Sequence, residues 1–346
     1  MVKVVNVGLV GAGFCASVLR LPIYEEYVPE AKVIGIASQS GLTAEHLGRR
    51  WGVSFCTKDW RDLLKRDDID VIDITAPNYL HCEMTIEAAE AGKHIIVEKP
   101  FATSIREAEA MVKACEKAGV KLCYAENVVF APSYARVIEI ARSGGFGRVW
   151  GVRHREAHMG PHSIWFWDKG KSGGGAFMDM GCHSIEVCRA VLGKPKAKAI
   201  TAIHSTQLHA VDMEDNSIAV IEFEDGSWGI AETSWTQPGG MDDRLEVWGS
   251  KGRAYVDLLR TGIQAYTEIP AEYVVEKAGI TTGWTYPVGD ETFTYGYPHE
   301  LRHFIKEAII GDKEPLESGI DGLAVTKLLE AGYRSARENR RVIVEA

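Results

Sequence analysis

Short apolar runs alternate with helix-patterned stretches through the first third of this chain, and that alternation narrows the fold more than any other feature. Val2–Val10, Lys32–Ala37, Val53–Cys56, Val71–Thr75, His94–Val97 and Lys121–Tyr124 read as strands. Helical patterning starts at Phe14 and recurs over Leu42–Trp51, Trp60–Arg66, Leu80–Ala91 and Ser104–Ala118. Gly92 ends the helix from Leu80, because glycine enters the left-handed cap at little cost. Strands separated by helices pair in parallel through crossovers, so residues 1–125 are expected to form a doubly wound α/β domain.

Beyond residue 125 the period changes to two. Arg148–Glu156, Lys196–Thr206, Ser217–Glu224, Trp228–Trp235, Arg244–Trp248, Arg253–Leu258 and Gly262–Thr267 read as strands. Asp225-Gly226 and Lys251-Gly252 supply tight turns between neighbouring runs, which makes those pairs antiparallel. Residues 126–346 are therefore expected to form an α+β domain with a large, open, mainly antiparallel sheet. Its backing helices would be Pro132–Arg142, Met178–Leu192, Pro298–Ile310 and Ile320–Arg337. A sheet face carrying Trp228, Trp235 and Trp248 needs cover, which points to a homodimer or homotetramer formed through it.

Composition removes several function classes. The 346 residues carry a net charge of -9 with no basic run, which argues against nucleic acid as a partner. The 7 cysteines are odd in number and lack a Cys-x-x-Cys pair, so they read as reduced thiols of a cytoplasmic protein. No stretch approaches the roughly 18 apolar residues of a membrane span, and no apolar leader precedes the first strand pattern.

Gly11-Ala12-Gly13-Phe14-Cys15-Ala16 follows the first strand directly and opens a helix. The first glycine permits the tight turn, the second lets backbone approach a pyrophosphate, and the small Ala16 lets helix and strand pack closely. Gly11, Gly13, Phe14 and Cys15 are thus expected at a dinucleotide, its phosphates facing the helix N-terminus; a tight turn without a ligand is the competing reading. The second strand ends at Ser38-Gln39, where an acid would select NAD and an arginine the 2′-phosphate of NADP. Neither is present. With no cation placed for a second phosphate, NAD is the expected cofactor and NADP stays open.

Two further stretches reach the same sheet edge. Thr75, Ala76 and Asn78 can line the nicotinamide ribose and His81 can face back toward it, although Asn78 could equally cap the helix from Leu80. Glu98-Lys99-Pro100 closes the strand His94–Val97, placing a lysine where ligands bind in such sheets. A charge aimed at a reacting oxygen competes there with a solvated strand-end lysine. Gly173-Gly174-Gly175 precedes Asp179 and His183, which are four residues apart and share a face if the segment is helical. That polar pair suits a sugar hydroxyl, against the plainer reading of a surface helical pair.

Glu98-Lys99-Pro100, Thr75 through His81, Ala125-Glu126-Asn127 and Gly173 through His183 together resemble the glucose–fructose oxidoreductase/inositol dehydrogenase/rhizopine-catabolism (Gfo/Idh/MocA) family across essentially the whole chain. The resemblance implies a Rossmann domain followed by an α/β domain with a large open sheet. It also implies hydride exchange between a nicotinamide and a sugar or polyol carbinol. Carried over by motif, Lys99, Asp179 and His183 are the catalytic trio, and Glu98 and Asn127 join the cofactor contacts. Val129 departs from the pattern, since relatives often have arginine there.

The chemistry fits those assignments. His183, with an ordinary pKa of about 6.5, can take the hydroxyl proton near neutral pH. Asp179 would orient imidazole and substrate, and Lys99 would stabilise the developing alkoxide. His158, Trp165 and Tyr297 are further substrate candidates, Trp165 as an aromatic platform for a sugar face. A metal site from His158, His162 and His183 is the weaker alternative, because Gly160-Pro161 breaks the spacing; no metal is expected. Two other functions stay open: a glycosidase that retains its nicotinamide and cleaves by oxidative elimination, and a catalytically silent dinucleotide sensor.

Overall fold

The computed structural model describes residues 4–260, 265–269, 282–285 and 290–344. Its contacts divide the chain into two compact units, one of Met1–Glu126 with Tyr297–Thr326 and one of Asn127–Gly296 with Lys327–Ala346.

The first unit is built on β1 (Val5–Val10), β2 (Ala31–Ala37), β3 (Phe55–Thr57), β4 (Val71–Ile74), β5 (His94–Glu98) and β6 (Leu122–Ala125). They lie in the order β3-β2-β1-β4-β5-β6, every pair parallel. This is the dinucleotide-fold order, with its crevice between β1 and β4 where the winding reverses. The strands carry Val5, Val7, Leu9, Ile36, Val71, Ile72, Ile74 and Ile95–Val97 with almost no exposure, as expected for a sheet covered on both faces. Residues 2 and 3 of the expected first strand lie outside the described residues.

One part of the sequence reading is corrected here. Pro298–Ile310, expected to back the second sheet, forms Tyr297–Arg302 and a wider-turn segment His303–Ile310 that belong to the first unit. Glu300 is the physical reason: it is fully buried within ion-pair distance of Arg20, 3.3 Å, so the helix is drawn to that cation.

The second unit contains β7 (Val149–Ala157), β8 (Ala197–Ser205), β9 (Asn216–Phe223), β10 (Trp228–Ser234), β11 (Asp242–Gly249) and β12 (Arg253–Asp257). A short pair, β13 (Ala265–Thr267) and β14 (Gly283–Thr285), stands apart, and β15 (Val342–Ile343) adds to the edge of the main sheet beside β8. Residues 262–264 of the expected strand Gly262–Thr267 lie outside the described residues. The main sheet runs β12-β11-β7-β10-β9-β8-β15, all antiparallel except β7 against β10. Both expected tight turns join antiparallel neighbours, Asp225-Gly226 between β9 and β10 and Lys251-Gly252 between β11 and β12.

Two details differ from the sequence reading. The expected helix Met178–Leu192 is two pieces, Ala176–Asp179 and Gly181–Leu192, broken at Met180, whose φ of -112° leaves the helical range. The second piece packs on β7 and β10 and is buried from Gly181 through Val191. The sheet-face tryptophans are Trp150, Trp228 and Trp248, with ring centroids 5.5–6.3 Å apart. Trp235 is not among them: it follows the end of β10 and has no exposure.

Candidate active site

The cofactor turn is shaped by its glycines. Gly11 adopts φ +105°, and a Cβ there would lie 2.7 Å from both oxygens of Thr75, so a side chain is excluded by conformation and by space. Thr75 donates its hydroxyl to the Val10 carbonyl at 3.0 Å, holding the ends of β1 and β4 together. At Gly13 the opposite holds, because a Cβ would meet nothing within 4 Å. Its α-carbon faces open space at the start of the Cys15–Arg20 helix, as backbone that must approach a diphosphate requires. Ala16 is fully buried, and Phe14 is exposed beside the turn. These residues fit a dinucleotide.

At the end of β2, the Ser38 hydroxyl accepts from Thr43 Oγ1 at 2.8 Å and from the Ala44 N–H at 3.1 Å, fixing the start of helix Leu42–Trp51. Gln39 is exposed. Arg49 and Arg50 occupy the last turn of that helix, which puts them about 10–12 Å along its axis from its first residue, Leu42, at ~1.5 Å per residue. This spacing favours the smaller charge of NAD.

His81 is placed differently from the sequence reading. It is fully buried, with Nε2 2.9 Å from the Ala76 carbonyl and Nδ1 3.0 Å from that of Pro100. Burial pushes its pKa down. The ring therefore stitches the loop after β4 to the loop after β5. Asn78 is buried as well, and no side chain caps the helix that follows it.

Lys99 sits half-buried at the carboxyl end of β5, before a cis peptide bond to Pro100. Its N–H donates to Glu98 Oε2 at 3.0 Å. Glu98 is expected at the cofactor, yet its carboxylate is engaged by the protein: Cys15 Sγ donates to Oε1 at 3.1 Å and Arg20 Nη2 lies 2.7 Å away. Sequence reasoning missed the network behind this. Arg20 has no exposed surface and also meets Asp73 at 3.2 Å and Glu300 at 3.3 Å, while the Tyr24 hydroxyl donates to Asp73 at 2.8 Å. Burial, the largest influence on each, holds the carboxyls of Asp73 and Glu300 above their ordinary range despite the arginine. Burial opposes the charge on Arg20, but Asp73 and then Glu98 outweigh it and raise its pKa. An aspartate inside the apolar run Val71-Ile72-Asp73-Ile74 was the available signal, since a charge in a buried strand needs a partner.

In the second unit, Asp179 and His183 flank the break at Met180, each almost fully buried. Asp179 Oδ2 accepts from the Trp235 indole N–H at 3.0 Å. The glycines before them are packed tight. A Cβ on Gly175 would lie 2.0 Å from the Glu214 carbonyl, and one on Gly174 1.9 Å from the Tyr333 hydroxyl. These glycines serve close packing of the chain, with Glu214 Oε1 accepting from the N–H groups of Gly175 and Phe177.

The remaining candidates are spread. Trp165 is half-buried and stacks on Phe166 with centroids 4.1 Å apart. His158 is buried, its ring 5.8 Å from that of the exposed His162. Asn127 donates to the Tyr295 carbonyl at 2.9 Å within the second unit. Tyr297 opens its helix in the first unit, whereas Asp179, His183 and Trp165 belong to the second.

Comparison with known proteins places the chain in a family. Residues 5–126 match the oxidoreductase family with an NAD-binding Rossmann fold, and residues 134–255 match the Gfo/Idh/MocA C-terminal domain. Levoglucosan dehydrogenase of Pseudarthrobacter phenanthrenivorans is 31% identical over 71% of this chain and 72% of its own length. The scyllo-inositol 2-dehydrogenase (NAD(+)) of Bacillus subtilis is 29% identical over 90% of this chain and 88% of its own. The crystal structure of GenD2 from gentamicin A biosynthesis, in complex with NAD, superposes with a TM-score of 0.92 at 31% identity, covering 100% of this chain and 98% of that one. No helix among the described residues is long and apolar enough to cross a membrane. The chain belongs to the Gfo/Idh/MocA family of oxidoreductases and is an NAD-dependent dehydrogenase.

Proposed function

We propose that this dehydrogenase moves a hydride between NAD and a secondary alcohol or ketone carbon of a sugar, glycoside or polyol. The observation that carries the reading is the pair Asp179 and His183, a carboxylate and an imidazole kept almost dry on either side of one helix break. A carboxylate and an imidazole this deeply buried and four residues apart are the kind of pairing that acid–base sites use.

His183 takes the hydroxyl proton of the substrate as general base. Asp179 orients the imidazole and a substrate hydroxyl. Lys99, its backbone tied to Glu98 at the end of β5, places an ammonium against the developing alkoxide. NAD, when bound, accepts the hydride. Trp165, His158 and Tyr297 are the further substrate contacts of this reading. In this division of labour residues 1–125 bind the cofactor, and 126–346 bind substrate and carry the oligomer contact through the Trp150, Trp228 and Trp248 face. The 7 free thiols suit a reducing cytoplasm.

The testing experiment is a panel of inositols, levoglucosan, aldoses and alkyl glycosides with NAD or NADP, followed by absorbance of the reduced nicotinamide. Net reduction with one ring polyol, faster with NAD, is expected. Glycoside cleavage without net reduction would move the reading to an oxidative-elimination glycosidase, and silence across the panel to a sensor. Light scattering tests the oligomer: a monomer at micromolar concentration contradicts it.

A further inference from the structure

We propose that Trp235 is a positioning residue for this reaction, fixing the Asp179 carboxylate through its indole N–H and carrying the aromatic segment Ile164–Trp167 on its ring. The inference rests on the reading of Asp179 as substrate-facing.

Trp235 is the largest of the fully buried side chains. Its backbone leaves little freedom, because its N–H donates to the Asp215 carbonyl at 2.8 Å and its carbonyl accepts from Gly160 at 2.9 Å. The side chain has one polar atom, and an indole N–H buried this deeply needs an acceptor. That acceptor is Asp179 Oδ2, at 3.0 Å. A hydrogen bond to an ionised acceptor is roughly twice as strong as one between neutral groups. The bond therefore anchors one oxygen of the carboxylate, Oδ2.

The ring of Trp235 does a second thing. Phe166 meets it edge-on with centroids 6.3 Å apart, and Trp167 meets it at 5.3 Å. Trp167 in turn lies 5.0 Å from His209. The Asp215 carboxylate accepts the N–H groups of Gln207, Leu208 and His209 at 2.7–2.9 Å, so this loop is anchored too. One indole thus ties the candidate sugar platform to the candidate acid–base pair. The acceptor this indole finds is the carboxylate of the proposed chemistry.

The test compares Trp235→Phe and Asp179→Asn with the wild type, using NAD and the substrate turned over in the panel above. Trp235→Phe keeps a ring and removes the donor. We expect kcat to fall about tenfold or more while KM changes less than about threefold, because a misplaced catalytic group costs rate rather than binding. The stoichiometry of NADH binding, read by fluorescence titration, reports the folded fraction and should be unchanged. A wild-type kcat in Trp235→Phe, with Asp179→Asn crippled, overturns the inference alone. A wild-type kcat in Asp179→Asn overturns the reading it rests on.

A spectrum that needs no substrate covers the case in which Trp235→Phe does not fold. Of the 9 tryptophan indole N–H resonances in 15N-labelled protein, one should move in Asp179→Asn as its acceptor loses charge. All of them staying in place overturns the inference.

Discussion

The Arg20 guanidinium, with no exposed surface, lies 2.7 Å from the Glu98 carboxylate that accepts the Lys99 N–H. A cation buried under the sheet thus fixes the residue preceding the proposed alkoxide-stabilising lysine. Arg20→Met should destabilise the protein by about 3–5 kcal/mol, as breaking a buried ion pair does, because Asp73, Glu98 and Glu300 would remain without their counter-charge. The folded-state pKa values of Asp73 and Glu300, already raised by burial, would rise further. The native state then binds more protons than the unfolded state, so the variant's deficit should widen as pH rises from the ordinary carboxylate range toward neutrality. Urea unfolding at several pH values measures this, and a deficit independent of pH contradicts it.

The two turn glycines should separate folding from cofactor binding. Gly11→Ala places a Cβ 2.7 Å from Thr75 oxygens in a left-handed backbone, a strain of order 1–3 kcal/mol. Gly13→Leu meets open space, so its stability should stay within about 1 kcal/mol of wild type. Its NAD affinity should nonetheless fall at least about tenfold, because the side chain fills the approach to the phosphates. Thermal melts with and without NADH distinguish the two.

His183→Ala should lower kcat by at least about a hundredfold, the low end of a general base's contribution. NADH affinity should stay near wild type. Full turnover at neutral pH by this variant would reject the assignment.

Asp215 predicts an acid transition. Burial pushes its pKa up, but the N–H groups of His209, Leu208 and Gln207 outweigh that and bring it to about 2. A depressed folded-state pKa gives stability that is present above the unfolded value of about 4 and is lost as pH falls toward 2. Asp215→Asn should be less stable than wild type at pH 6, with the gap narrowing below pH 4. Equilibrium unfolding across that range reads it, and a gap constant with pH would be inconsistent with the bonds described.

Much of this was legible in the residues. Strand–helix alternation to residue 125 fixes the parallel sheet, because each short apolar run is followed by a helix-length crossover. The glycine pattern foretold a tight turn at Gly11, which adopts φ +105°, and open backbone at Gly13. Long-range ion pairing was not readable. Glu300 belongs with Arg20, 280 residues earlier, and no local pattern announces that, so the helix it sits on was assigned to the wrong sheet. Trp235 was misplaced for a related reason. Period-two patterning extends β10 by one residue, but the Asp179 carboxylate and the aromatic segment bury its ring. His81 looked like a ligand because of its position, and the backbone carbonyls that hold it become visible only when two loops meet.

The most direct measurement uses the substrate found in the panel, deuterated at its carbinol carbons, and mass spectrometry of the reduced cofactor. The account predicts one deuterium carried into the nicotinamide for each substrate oxidised, with the transfer slowed in His183→Ala. Deuterium released to solvent while substrate is consumed, or no transfer to either nicotinamide cofactor, would contradict it.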